Sequence, residues 1–158
     1  MSPIGRGALT IDPEDVISDP YEDIKHIPCP HSISEPALTP NGHLVACCGF
    51  ELSHHEFLDF GSVRERSAGS LIAEANDNLI AIALAELGPG FLLDILKKQA
   101  GLKPRDSYSG ICDMCFHAIG DRRNIELLAE NAELIAACIS AKRSRENANG
   151  RPSVERQP

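Results

Sequence analysis

Cys112-Asp113-Met114-Cys115 is a C-x-x-C pair, in which two intervening residues make a tight turn that aims both sulfurs at one ion. Cys29 sits between Pro28 and Pro30 on a stiff loop, a poor place for a residue that only fills a core. Cys47 closes a candidate hairpin, where a sulfur can turn back toward the loop that carries Cys29. Together these are four thiolates, the number that a closed tetrahedral zinc site or an iron–sulfur cluster requires. Closing the long gap from Cys47 to Cys112 costs about 4 kcal/mol of chain entropy. A structural thiolate–metal site supplies about 10–16 kcal/mol, enough to dominate the fold. The C-x-x-C lacks the strand–helix frame of a thioredoxin-like redox pair, and Phe116 between Cys115 and His117 breaks the C-x-x-C-H of haem attachment.

The chain has six cysteines and no tryptophan. Cys48 follows Cys47, and neighbours in a strand point to opposite faces, so Cys47 is the expected ligand and Cys48 packs behind it. Cys138 falls on the apolar side of a helix beside Ile135 and Ile139 and is expected as a core thiol. His54-His55 lies in a polar loop and reads as a solvated pair. His43 and His117 flank expected ligands and could donate to a sulfur or face water. No Ser/His/Asp arrangement or Gly-rich phosphate loop stands out, so no catalytic residue is assigned and enzymatic activity stays open.

Charge narrows the partners. There are 15 basic and 23 acidic side chains, a net charge of -8, which leaves no basic field for nucleic acid. The local basic stretches, Lys97–Arg105 and Lys142–Arg156, read as solvated helix ends and tail. MSPIGRGALTIDPEDV has no apolar signal region, and no apolar run reaches the roughly 18 residues of a membrane span. A cytoplasmic chain without membrane contact is expected, and there thiols stay reduced. Metal is therefore favoured over disulfides.

The elements that must position the sulfurs are short. Residues 1–27 read as an extended lead-in with one possible turn at Tyr21–Ile24. Ala37–Cys48 reads as a hairpin, with Pro40-Asn41-Gly42 supplying the positive φ of a tight turn. Leu58–Val63 adds an edge segment that Gly61 bends. From Ser67 the pattern turns helical, capped by Ser67 or Ser70, broken near Asn76-Asp77-Asn78 and ended by Gly88-Pro89-Gly90. A helix over Phe91–Ala100 turns Phe91, Leu92, Ile95 and Leu96 inward and stops at Gly101. A loop over Lys103–Gly110 leads to the C-x-x-C, and one last helix starts near Asp121. Beyond Arg143 the sequence is polar and aperiodic, and disorder is expected over 144–158.

Cys29, Gly42, Cys47 and the later C-x-x-C together resemble the C-terminal auxiliary cluster region of radical SAM enzymes, the SPASM domain and its shorter relative, the twitch domain. LDFGSVRERSAGSLI resembles that family's strand, glycine and helix start after the hairpin. SPIGRGAL, Ser2–Leu9, looks like the stretch where the catalytic barrel hands over. The resemblance implies a small α+β domain over 28–143, a hairpin of two to three short strands with about three packed helices. It implies an auxiliary 4Fe–4S cluster held by Cys29, Cys47, Cys112 and Cys115, which relays electrons or anchors substrate. It also implies a partner, a radical SAM catalytic domain or protein and its substrate, for instance a peptide. Two departures stand against the full pattern. The C-x-x-x-C-x-x-C of the SAM-cleaving cluster does not occur in this sequence, and Asp121 holds the place of a further SPASM cysteine. The one-cluster, twitch-like form is the closer match, as a detached or truncated C-terminal part or a stand-alone protein. The rivals are a four-cysteine zinc module with a structural or adaptor role and a metal-free helical interaction domain.

Overall fold

The computed structural model describes residues 16–47 and 57–149. The lead-in holds more structure than its composition suggests. Strand β1, Asp19–Pro20, pairs antiparallel with β5, Ser107–Tyr108, and the one-turn helix α1, Tyr21–Ile24, follows at once. The Tyr21 N–H donates to the Asp106 carbonyl at 2.9 Å, so the start of the described chain is tied to the loop that leads into the C-x-x-C.

The hairpin forms between β2, Ala37–Leu38, and β3, His43–Val45, with Ala37 opposite Val45 and Leu38 opposite Leu44. Its turn is a longer one than a two-residue Asn-Gly loop. Gly42 N–H closes on the Thr39 carbonyl at 2.9 Å, and Gly42 alone of the turn residues has positive φ, at 88°. Strand β4, Asp59–Ser62, joins on the other side of β3, with a register irregularity between Leu44 and Val45. The expected edge segment is thus the third strand, and Gly61 bends it at φ 107°.

Seven helices complete an α+β fold among the described residues, against the three or so expected. Helix α2, Ala68–Asp77, starts at Ser67, whose side chain accepts from the Ser70 N–H. Asn78 ends α2 and caps α3, Leu79–Glu86, with its Oδ1 accepting from the Ala81 N–H at 2.9 Å. Gly88, at φ 84°, and Pro89 in the first turn start α4, Pro89–Ala100, which ends on left-handed Gly101. Helix α5, Ile111–Ile119, carries the C-x-x-C. The single last helix is two, α6, Arg122–Glu130, and α7, Ala132–Ala148, broken at Asn131. The helical backbone runs on past Arg143, where disorder was expected. The reason is partly tertiary: Lys142 Nζ donates to the Glu86 carbonyl at the end of α3, and Arg143 pairs with the Glu86 carboxylate.

Helix α4 lies at the centre, against α5 and α6, while α7 covers α3. Leu92, Leu93, Leu96, Met114, Ile119, Leu128 and Ile135 are fully buried, an aliphatic core as the low aromatic content demands. Leu93 belongs to it and Phe91 only borders it. Among the described residues no single helix is long and apolar enough to cross a membrane; α3 and α4, the most apolar pair, meet at a bend of 115°.

Candidate metal centre

Three separate pieces of chain bring the cysteines to one side of this core. The loop that carries Cys29 is held by backbone contacts rather than by its own structure. Cys29 N–H donates to the Leu84 carbonyl at 2.8 Å, and Ser32, which is buried, donates its hydroxyl to the Ala81 carbonyl at 2.9 Å. Both acceptors belong to α3, so the proline-flanked loop lies along that helix. Beyond it, Ile33 N–H donates to the Ala46 carbonyl at 3.1 Å, which ties the same loop to the residue before Cys47. Ile33 adopts φ 68°, a left-handed conformation that costs a β-branched residue on the order of 1–2 kcal/mol. The bond to Ala46 holds it there.

Cys47 follows the hairpin's second strand. Ala46 N–H donates to the Leu58 carbonyl at 2.9 Å, so that strand end is gripped from both sides, by the Cys29 loop and by the approach to β4. Cys47 is buried in the same core cluster as Cys115, and half-buried Cys29 packs against that cluster. Cys112 and Cys115 come from α5, and this corrects the expected tight turn: the two are one helical turn apart, which puts them on a shared face. Cys112 is half-buried, and Cys115 is 7% exposed.

Electrostatics links the four. Burial pushes the Cys115 thiol well above its ordinary range, and Cys29, Cys47 and Cys112 each push it further. Coulomb repulsion falls with distance, so three thiols that act on a fourth share its neighbourhood. Among the described residues no three His, Cys, Asp or Glu side chains are grouped so as to hold a metal ion as they stand. A thiol reaches a ligand by turning about χ1, whereas its neighbourhood is set by the backbone, so the backbone placement is the more informative quantity. As a donor set the four are uniform: all sulfur, on fixed elements, with two well buried. That suits a soft ion or an iron–sulfur cluster and not a hard cation.

The other sequence candidates go elsewhere. His43 Nδ1 bonds Asp59 Oδ2 at 2.7 Å. Cys138 is only half-buried, on a groove with Leu87, Phe91 and Ala137, rather than in the core with its neighbours Ile135 and Ile139. Cys48, His54, His55 and the Ser2–Leu9 stretch lie outside the described residues.

Residues that sequence reasoning passed over surround the C-x-x-C. Arg105 pairs with Asp113 Oδ1 at 2.5 Å, and Asp113 Oδ2 accepts the Ser109 N–H at 3.0 Å. The Arg105 guanidinium also lies over the Tyr108 ring, 4.5 Å from its centroid. The Tyr108 hydroxyl accepts the Arg105 N–H at 2.9 Å and is hydrogen-bonded to His117 Nδ1 at 2.7 Å. Burial, then the Arg105 charge, lowers the His117 pKa. Tyr108 in turn stacks at 5.9 Å on Tyr21, whose hydroxyl donates to Asp94 Oδ1 at 3.2 Å. The only signal in the sequence was rarity, since these are the chain's two tyrosines.

Compared with models of known families, with curated proteins and with solved structures, the chain matches none.

Proposed function

We propose that this chain binds an auxiliary 4Fe–4S cluster through Cys29, Cys47, Cys112 and Cys115, in the manner its resemblance to SPASM and twitch domains implies. The observation that supports the reading is that a proline-flanked loop, a hairpin end and a C-x-x-C helix bring Cys29, Cys47 and Cys112 near enough to Cys115 for each to push its thiol pKa up. Nothing in the local sequence requires these three to meet. A cluster held there supplies one-electron chemistry or a Lewis-acidic iron, and burial of two of its sulfurs would help set its potential. The chain's own part is to hold four thiolates in place. Its partner in this reading is a radical SAM catalytic domain or protein, in the cytoplasm, with no nucleic acid and no membrane.

Anaerobic purification tests the reading. A brown protein with about four iron and four sulfide per chain, lost together in Cys29→Ala and Cys115→Ala, is the expected result. A colourless protein with a single zinc would replace it with the four-cysteine structural module. Metal-free protein whose melting is unchanged in both variants would replace it with a helical interaction domain.

A further inference from the structure

We propose that Arg105, Tyr108 and Asp113 are positioning residues that hold the Cys112–Cys115 face of α5 toward Cys29 and Cys47, an inference that rests on the cluster reading above.

The argument begins with helix geometry. At about 100° per residue, Asp113 and His117 fall on one side of α5 while Cys112 and Cys115 fall roughly 150° away around the axis. Residues 105–109 grip the first side at two points one turn apart. Asp113 is held by the Arg105 guanidinium and the Ser109 N–H, and His117 by the Tyr108 hydroxyl. Two grips on one face fix a helix's rotation, which a single contact does not. With the rotation fixed, the two sulfurs point the opposite way.

The grip is itself anchored. Tyr108 is 1% exposed, its hydroxyl is bonded to both the Arg105 N–H and His117, and its strand pairs with Asp19–Pro20. A flexible loop could follow α5 as it turned; this one cannot without breaking the β1–β5 ladder. Asn124 Nδ2 also donates to the His117 carbonyl at 3.3 Å, which steadies the far end of α5. Arg105 suits the role better than Lys, since one planar fork meets the Asp113 carboxylate while its flat face rests on the Tyr108 ring.

The test uses the full chain reconstituted anaerobically with iron and sulfide, then challenged with a chelator while visible absorbance is followed. Asp113→Asn and Arg105→Ala break a half-exposed pair and are expected to leave the melting of the stripped chain unchanged. Both are expected to lose the cluster about 10-fold faster, the low end of what removing an outer partner of a metal ligand costs. Tyr108→Phe, which keeps the ring but removes the hydroxyl from two buried partners, is expected to speed cluster loss and also to lower the melting of the stripped chain. Arg122→Ala, which breaks an exposed pair with Glu126 on α6, is expected to match the wild type in both measurements. Wild-type lifetimes in the Arg105, Asp113 and Tyr108 variants overturn the inference and leave the cluster reading standing. So does a faster loss in the Arg105 and Asp113 variants matched by a drop in the stripped chain's melting. A wild-type chain that takes up no iron or sulfide overturns both.

Discussion

A methyl group is enough to test how closely the end of α1 approaches the start of α4. At Gly90 an added Cβ would overlap the Lys25 carbonyl oxygen and come within 2.7 Å of Lys25 Cα, backbone atoms that cannot swing aside. Gly90→Ala is expected to destabilise the protein by about 1–3 kcal/mol, read from chemical denaturation. Gly69 is the contrasting case, a helical glycine with nothing within 4 Å of a built Cβ. Gly69→Ala is expected to stabilise by about 0.5–1 kcal/mol, since alanine loses less backbone freedom on folding. If both variants moved stability the same way, the close approach of residues 25–28 to the start of α4 would be wrong. The sequence showed both glycines but could not tell them apart. Gly88-Pro89-Gly90 reads as a helix break, yet Gly90 is inside α4 and is small because another segment crosses it.

Caps were the most legible feature at the scale of elements. Ser67 caps α2 and Asp121 caps α6, each through a side-chain oxygen that accepts a backbone N–H two or three residues on. Asn78 does more than end one helix and start the next, because its Nδ2 also donates to the Phe57 carbonyl at 3.0 Å. Asn78→Ala is expected to cost about 1–2 kcal/mol, at the upper side for a cap. Asn78→Asp keeps the acceptor but not the amide donor and is expected to recover only part of it. An Asn78→Asp variant as stable as the wild type would mean that the Phe57 contact contributes nothing. Helix number was less legible than helix ends. Ile125, Leu128, Ala132, Ile135 and Ile139 keep helical spacing straight through Asn131, so periodicity alone joined α6 to α7. The C-x-x-C was also misjudged locally, since a tight turn and the first turn of a helix give two cysteines the same spacing.

Alkaline pH probes the molecule as a whole, because its two tyrosines join distant parts of the chain. Tyr21 links α1 to α4 through Asp94, and Tyr108 links β5 to α5 through His117. Both phenols titrate above the ordinary 10.0: Tyr21 through burial and then the Asp94 charge, Tyr108 through burial. Between about pH 10 and the raised folded values, the unfolded chain releases these protons and the folded chain keeps them. Stability is therefore full below about pH 10 and is lost as pH rises through the folded values. Denaturation curves above pH 10 should show that decline, and Tyr21→Phe should make it shallower. An identical decline in Tyr21→Phe would remove Tyr21 from the account.

Several properties follow from the residues alone, because they depend on local chemistry or on composition. These are an aliphatic core, an α+β order with a hairpin ahead of the helices, turns at Gly42 and Gly101, and the capping serine at Ser67. The four cysteines could be nominated the same way, from proline flanks, a hairpin end and a C-x-x-C. Their neighbourhood could not, since it depends on contacts between residues far apart in the chain. Cys29 is held by the Leu84 carbonyl and its loop, through Ile33, by the Ala46 carbonyl, and Cys112 and Cys115 face as they do because residues 105–109 hold the far side of α5. A backbone carbonyl is the same group at every position, so no residue pattern announces which one a distant N–H will find; only the packed chain decides that.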